Sequence, residues 1–421
     1  MSLLDESAPG GVRAETVPLR RNRDFLLLWT GAGVSMLGLR ASVVAYPLLM
    51  LWYGNSPMGA GLVGFAALLP QLVVQLPAGA LVDRWDRRRL LIGSDLAGLL
   101  AMAVVVAMLA SGNLWLPVLM VAAFVDGSAA LCYRLGERAA ISHIVPNDQL
   151  PQAMGQNEAR GQAAGLLGQP TGSGLFTLGS WVPFGFTAMA HLLALVTLLF
   201  IRKDLQGPRT ASARNVRTEV LEGMRWVWRQ RFLRAAFGLI AASNLLFQVL
   251  VLTLSLTVKE HGGSALSVGL IGLVGGLGGI AGALAGARVV GRVRLFTVIA
   301  GALIVWTALM TPVALTSQPL ALGLLMAGMG FAGALMNVVV GVRQLGATPG
   351  GLQGRVSSVF ALVSSGTASA GAFVGGLLLS SFGTRTTALT IAAAMGLLAL
   401  IAVVSPTLHD DALAQPEPLP N

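Results

Sequence analysis

The sequence predicts an all-α integral membrane protein with twelve transmembrane helices, divided six and six by the longest link. Three observations point there. Hydrophobic residues make up 55% of the chain and charged residues only 11%, against about 25% charge in a soluble globular protein. A helix crosses a bilayer with roughly 20 mainly apolar residues, and twelve such runs occur. The basic residues gather in alternate links between runs, as expected when one side of a membrane collects Arg and Lys.

The runs fall near 25–52, 60–82, 90–110, 114–136, 150–178, 182–201, 233–257, 265–289, 295–315, 318–342, 355–381 and 385–405. Turn-forming links such as Gly54-Asn55-Ser56-Pro57 and Ser111-Gly112-Asn113 separate them. Every Arg and Lys outside four positions lies before the first span, or in or at the edge of an even-to-odd link; the exceptions are Lys259 and Arg385, on the opposite side, and Arg40 and Arg160, within spans. Both termini are therefore expected in the cytoplasm of a multi-pass protein of the cell inner (plasma) membrane.

These boundaries divide the chain into a cytoplasmic tail (1–24), a first bundle (25–201), a linker (202–232), a second bundle (233–405) and a cytoplasmic tail (406–421). In the linker Val220, Met224, Val227 and Trp228 recur at helical spacing with Arg225, Arg229 and Arg231 interleaved, which predicts an amphipathic helix on the inner membrane surface. The last segment holds three prolines and no Arg or Lys after Thr407, and reads as disordered. The net charge of +10 sits in short links rather than on one soluble face, so nucleic acid is not an expected partner. The lone Cys132 lies in a predicted span, which excludes an intrachain disulfide. No cleavable signal is apparent before the first span.

The charged link after the second span carries the most specific pattern. Gly79, Leu81, Asp83, Arg84, Arg87 and Arg88 follow the order Gly-x-Leu-x-Asp-Arg-x-Gly-Arg-Arg, with Asp86 at the second glycine. This resembles the signature loop of the major facilitator superfamily. A plain cytoplasmic anchor would need only the arginines. Gly282-Ala283-Leu284 with Arg288, Gly291, Arg292 and Arg294 echo the loop in the second half, without its aspartate. The resemblance implies two six-helix bundles around a central cavity, rocking about a site near the bilayer midplane. It also implies that Asp83 gates the cytoplasmic side by meeting the start of the eleventh span around Arg355 to Ser357.

A partial antiporter-like motif lies in the fifth span, where Gly165, Pro170 and Gly174 match and Gln156, Gln169 and Ser173 replace glycines. Small residues permit close helix approach and a proline permits a bend; ordinary packing in a glycine-rich membrane protein explains them equally well. Asn22-Arg23-Asp24-Phe25, Val145-Pro146-Asn147-Asp148-Gln149-Leu150 and Gly354-Arg355-Val356-Ser357-Ser358 are similar to the siderophore and macrolide exporter branch of the same superfamily. That resemblance implies proton-driven export of a small, partly apolar molecule; the protein is expected to be a monomer. Uptake by symport or uniport is the alternative. The antiporters' fourth-span pattern Leu-x-x-x-Arg-x-x-Gln-Gly meets Leu119, Ala123, Asp126 and Gly127 here, so its arginine is missing.

Ionisable residues inside spans are costly and mark functional sites by default. Asp126 is the first candidate for the proton carrier, with Arg40 as its expected partner, Glu158 and Arg160 as a second set and Asp95 as a third; burial disfavours a charged carboxyl and a nearby arginine favours it, so such a pair can be switched. A static structural ion pair accounts for the same residues. Tyr46, Asn244, Phe247, Gln248 and Asn337 are the polar or aromatic candidates for lining a substrate cavity. Lys203 and Lys259 lie in no phosphate-binding loop. His143, His191, His261 and His409 are scattered and cannot be grouped from sequence. No enzyme, metal site or cofactor is expected.

Overall fold

The computed structural model describes residues 18–206, 216–349 and 352–405, and every regular element among them is helical. The first half contains α1 (Arg23–Trp52), a second span in three pieces, α2 (Pro57–Leu68), α3 (Pro70–Val73) and α4 (Gln75–Arg84), then α5 (Arg87–Ala110), α6 (Leu116–Ile144), α7 (Leu150–Leu178) and α8 (Val182–Phe200). A linker helix, α9 (Val216–Arg229), leads to α10 (Arg231–Glu260), α11 (Ala265–Val289), α12 (Leu295–Met310), α13 (Pro319–Ala347) and α14 (Gln353–Val404).

Among the described residues, nine helices are long and apolar enough to cross a membrane. One of them, α14, has 52 residues and crosses twice, because Gly383 at φ 72° and ψ −179° turns the chain back between the two passes. That left-handed conformation favours a residue without a Cβ. The broken second span and the polar α7 complete the twelve crossings. The second span keeps helical dihedrals at Leu69 and Val74, so its interruptions are in hydrogen bonding: Pro70 and Pro77 have no N–H to offer the preceding turn. α7 is less apolar than the other crossings because Gln156, Asn157, Glu158, Arg160 and Gln162 crowd its first half.

The two halves touch chiefly at one end of the bundle, away from the arginine-rich links. One apolar core joins Tyr46, Met102 and Phe184 of the first half with Leu252, Leu256, Ala265 and Leu379 of the second. Gly61 and Gly376 bring α2 and α14 into backbone contact, where a side chain on either would collide with the other helix. Ser365 donates to Gln71 Oε1 at 3.0 Å, Ser369 donates to the Phe65 carbonyl at 3.2 Å, and Lys259 bonds both the Leu51 carbonyl and the Asn55 side chain. At the basic end the cores separate, one confined to the first half around Phe25, Leu91 and Ile141 and another to the second half. Among the described residues the two halves are thus joined mainly at the distal end.

Candidate functional site

In the first half four helices enclose one imidazole. His191 of α8 places Nδ1 3.0 Å from Asp95 Oδ1 on α5 and Nε2 3.0 Å from Asp126 Oδ1 on α6. From α1, the Ser42 hydroxyl donates to Asp126 Oδ2 at 3.1 Å, and Ser35 Oγ lies 3.2 Å from both Asp95 Oδ1 and His191 Nδ1. His191 is 2% exposed and both aspartates 1%. Gly98 makes the room, since a Cβ there would lie 2.5 Å from His191 Nε2.

The arrangement limits the proton count. An imidazolium donates from both nitrogens, whereas a neutral ring has one donor and must accept at the other nitrogen. With both aspartates ionised and the ring protonated, the cluster carries one net negative charge in a site almost closed to solvent. One further proton neutralises it. Asp95 Oδ2 is buried without a partner among the described residues, an uncommon state for a polar atom and one often tied to function. The cluster can therefore hold one proton more or one fewer at the cost of rearranging its hydrogen bonds.

His191 escaped the sequence reading because its partners lie 96 and 65 positions away. The available signal was a lone histidine in the middle of an apolar helix, where any titratable group is expensive. Asp95 and Asp126, treated as separate candidates from sequence, share this one ring. Arg40, expected beside Asp126, makes no ion pair among the described residues and is exposed. The physical reason is helical geometry: Ser42 points at Asp126, and Arg40, two residues earlier, points about 200° away around α1.

Glu158 and Arg160 do not pair either. Arg160 forks onto Glu137 of α6, with Nη1 2.8 Å from Oε1 and Nη2 2.9 Å from Oε2, donates to the Trp29 carbonyl at 3.0 Å, and lies over the Trp29 ring. Asn157 adds a 3.4 Å bond to Glu137. Glu158 is exposed and accepts from Gln162 one turn on, at 2.9 Å. This bidentate set clamps α6, α7 and α1 near the basic end.

In the signature loop the side chain of Asp83 lies outside the described residues, while Arg355, its expected neighbour, pairs with Glu222 of α9. Asp86 caps α5 by accepting from the Arg89 N–H at 2.8 Å, a task glycine could not perform. Arg87 donates to the Ala139 and Leu205 carbonyls, and Arg88 to the Leu198 and Leu199 carbonyls at the end of α8, where cations complement the helix dipole. Arg84 is exposed, and a Cβ on Gly79 would meet nothing within 4 Å. In α7 Gly165 and Gly174 are likewise uncrowded; the tight contacts to α1 are made by Gly168 and Gly172, against Arg40 and Ala41. Pro170 sits between them, inside the helix.

Between the halves lies a cavity of about 660 Å³, bounded by α7 on one side and α10, α11 and α13 on the other. Its lining is mostly apolar, with Phe247, Val251, Ile271 and Met326 facing Gln162 and Gln169. A second cavity of about 250 Å³ shares Phe247 and adds Asn244, Asn337 and Trp306. Phe247 meets Trp306 edge-on with centroids 4.8 Å apart, and the Trp306 indole is fixed by the Met329 carbonyl at 2.9 Å. Of the other sequence candidates, Tyr46 is fully buried against Phe184, with its hydroxyl 4.0 Å from Met102 Sδ, and it lines neither cavity. Gln248 packs on Gly371 of α14 instead. Gln248 stands on the cavity helix α10 but turns toward α14, and Tyr46, on α1, is taken up by the core that joins the two halves.

Two six-helix halves joined at one end, a ligand-sized cleft between them and a buried titratable cluster in one half define a multi-pass membrane transporter rather than an enzyme. The chain belongs to the Major Facilitator Superfamily, whose family model matches residues 28–369. It is 28% identical over 410 residues to the multidrug efflux pump Tap of Mycolicibacterium fortuitum, covering 93% of this chain and 96% of that one. Macrolide efflux protein A of Streptococcus pyogenes is 24% identical over 206 residues, 48% of this chain and 50% of that one. Among solved structures, an inward-facing, unoccupied bacterial homolog of the human lysosomal transporter Spinster superimposes with a TM-score of 0.76 at 13% identity, covering 93% of this chain and 98% of that one.

Proposed function

We propose that the protein exports a small, partly apolar molecule across the bacterial plasma membrane in exchange for protons, working as a monomer with both termini in the cytoplasm. The observation that carries this reading is the His191 cluster, two carboxylates sharing one imidazole, buried on the far side of α1 from the cleft. α1 supplies Ser35 and Ser42 to the cluster and, through Arg40 and Ala41, packs on the cavity helix α7. A change of protonation that re-forms the serine contacts thus acts on the same helix that meets the cavity wall. The two efflux-pump relatives support export, and the mainly apolar cavity supports a partly apolar cargo. With the arginine-rich end in the cytoplasm, the junction of the halves at the distal end makes this an inward-facing state.

Reconstituted vesicles with an imposed proton gradient of either sign test the reading. Substrate should move against its gradient when protons flow the opposite way. Asp126→Asn, which mimics the neutral acid, should abolish that coupling while leaving substrate exchange measurable. Gradient-driven movement unchanged in Asp126→Asn, or movement in the same direction as the protons, refutes it.

A further inference from the structure

Two buried charged groups in the first half stand at different depths. Asp95, Asp126 and His191 form one, and Glu137 with Arg160 forms the other, nearer the basic end. Tyr133 of α6 lies between them and is bonded to neither. It is 6% exposed, and its hydroxyl is buried without a hydrogen-bond partner among the described residues.

Helix geometry places this side chain. Asp126, Tyr133 and Glu137 follow one another at seven and four residues, so they fall within about 40° of one another around α6. Asp126 reaches His191 and Glu137 reaches Arg160, so the whole stripe faces the interior of the first half. Two registers set its depth. α5 and α6 run in opposite directions, and a Cβ on Gly136 would lie 3.3 Å from Leu91 Cδ2; about one turn from that contact, Tyr133 on one helix and Asp95 on the other reach the same level. α1 also runs against α6, and Ser42 meets Asp126, so seven residues back on α1 and seven further on α6 bring Ser35 level with Tyr133. Ser35 is the residue that bonds Asp95, so the two registers agree. Tyr133 accordingly shares one core with Leu91 and Ala32, each one turn before Asp95 or Ser35.

The same stretch gathers orphaned polar atoms: Asp95 Oδ2, Tyr133 Oη, Asn157 Oδ1, Arg160 Nε and Trp29 Nε1 are buried without a partner among the described residues. The aspartate and asparagine oxygens accept, the arginine and indole nitrogens donate, and the hydroxyl does both. Buried groups of this kind are ordinarily satisfied by ordered water, which needs such a mixed set of partners.

We infer that Tyr133, with ordered water held by these atoms, is a proton relay between the His191 cluster and the basic end. Asp95, when protonated, gives its proton to the Tyr133 oxygen as Tyr133 gives its own to water on the Glu137 side. The tyrosine is neutral before and after, Asp95 is left as the carboxylate, and one proton leaves toward the basic end. Glu137 offsets the Arg160 charge that would otherwise repel it. The inference rests on the cluster as proton carrier and adds the route by which it discharges.

The full chain in phosphatidylcholine nanodiscs, stepped from acid to alkaline pH, tests the relay without any substrate. Infrared absorption of protonated carboxyl groups follows the discharge, and its loss in Asp95→Asn or Asp126→Asn assigns it to the cluster. Tyr133→Phe removes only the unpartnered hydroxyl. It should leave the final amplitude unchanged and slow the discharge at least about tenfold, the rate equivalent of one lost hydrogen bond to a charged group. Asn157→Leu, at the other end of the orphaned set, should slow it as well. An unchanged rate in Tyr133→Phe overturns the relay, and so does a slower rate accompanied by a changed amplitude, which marks a structural effect. No cluster signal in the unmodified protein overturns the relay and the carrier together. Discharge slowed in Tyr133→Phe, with vesicle transport indifferent to the proton gradient, would keep the relay and remove proton-driven export. Gradient-driven transport lost in Asp126→Asn, with discharge unchanged in Tyr133→Phe, would do the reverse.

Discussion

Placing a methyl group at Gly98 should break the His191 cluster without touching any of its polar atoms. A Cβ there would lie 2.5 Å from Nε2, 2.6 Å from Cε1 and 2.9 Å from Cδ2 of the imidazole. Ordinary non-bonded contact begins near 3.5 Å, so the ring must recede by roughly 1 Å. The bonds to Asp95 and Asp126, each 3.0 Å now, have little slack before they pass the hydrogen-bonding range of about 3.2 Å. Hydrogen bonds to charged groups contribute about 1.5–3 kcal/mol each, and replacing a helical glycine by alanine returns at most about 1 kcal/mol. Gly98→Ala should therefore lose about 2–5 kcal/mol of stability and its proton coupling. Gly93→Ala in the same helix is the control, because Gly93 is exposed and a Cβ there meets nothing within 4 Å. Unfolding in mixed micelles and gradient-driven transport in vesicles should be measured on both variants. If Gly98→Ala matches Gly93→Ala in both measurements, the crowding argument and the proposed role of the cluster fail together.

Double-mutant cycles on unfolding should give a coupling of about 1.5–3 kcal/mol between His191 and Asp126 and additivity within about 0.5 kcal/mol between Arg40 and Asp126; the reverse pattern would restore the pairing expected from sequence. Glu137→Gln should destabilise the protein by about 3–5 kcal/mol by leaving the Arg160 charge buried beside a neutral partner, and a loss below 1 kcal/mol would show the clamp to be solvated. Asp86→Ala should cost about 0.5–2 kcal/mol through the lost cap on α5, read as earlier hydrogen exchange at Arg89 and its neighbours; unchanged exchange there would remove the cap from the account.

The sequence by itself determined what depends on composition and local order. Twelve apolar runs, the placement of arginines in alternate links and the spacing of the loop from Gly79 to Arg88 are one-dimensional properties, and together they specify a two-bundle membrane fold and its family. Even the broken second span was legible in principle, since Pro70 and Pro77 lose their hydrogen bonds in any helix. Which charges meet was decided only by the packing of helices. Asp126, Asp95 and His191 lie on three separate helices, and their contact depends on how α5, α6 and α8 are rotated and on the missing Cβ of Gly98. The same rotation sends Ser42 into the cluster and Arg40 away from it, although two residues separate them. It turns Tyr46 into the core while Phe247 lines the cleft. Apolar periodicity carries little of this in a membrane, where lipid-facing and core-facing positions are equally hydrophobic.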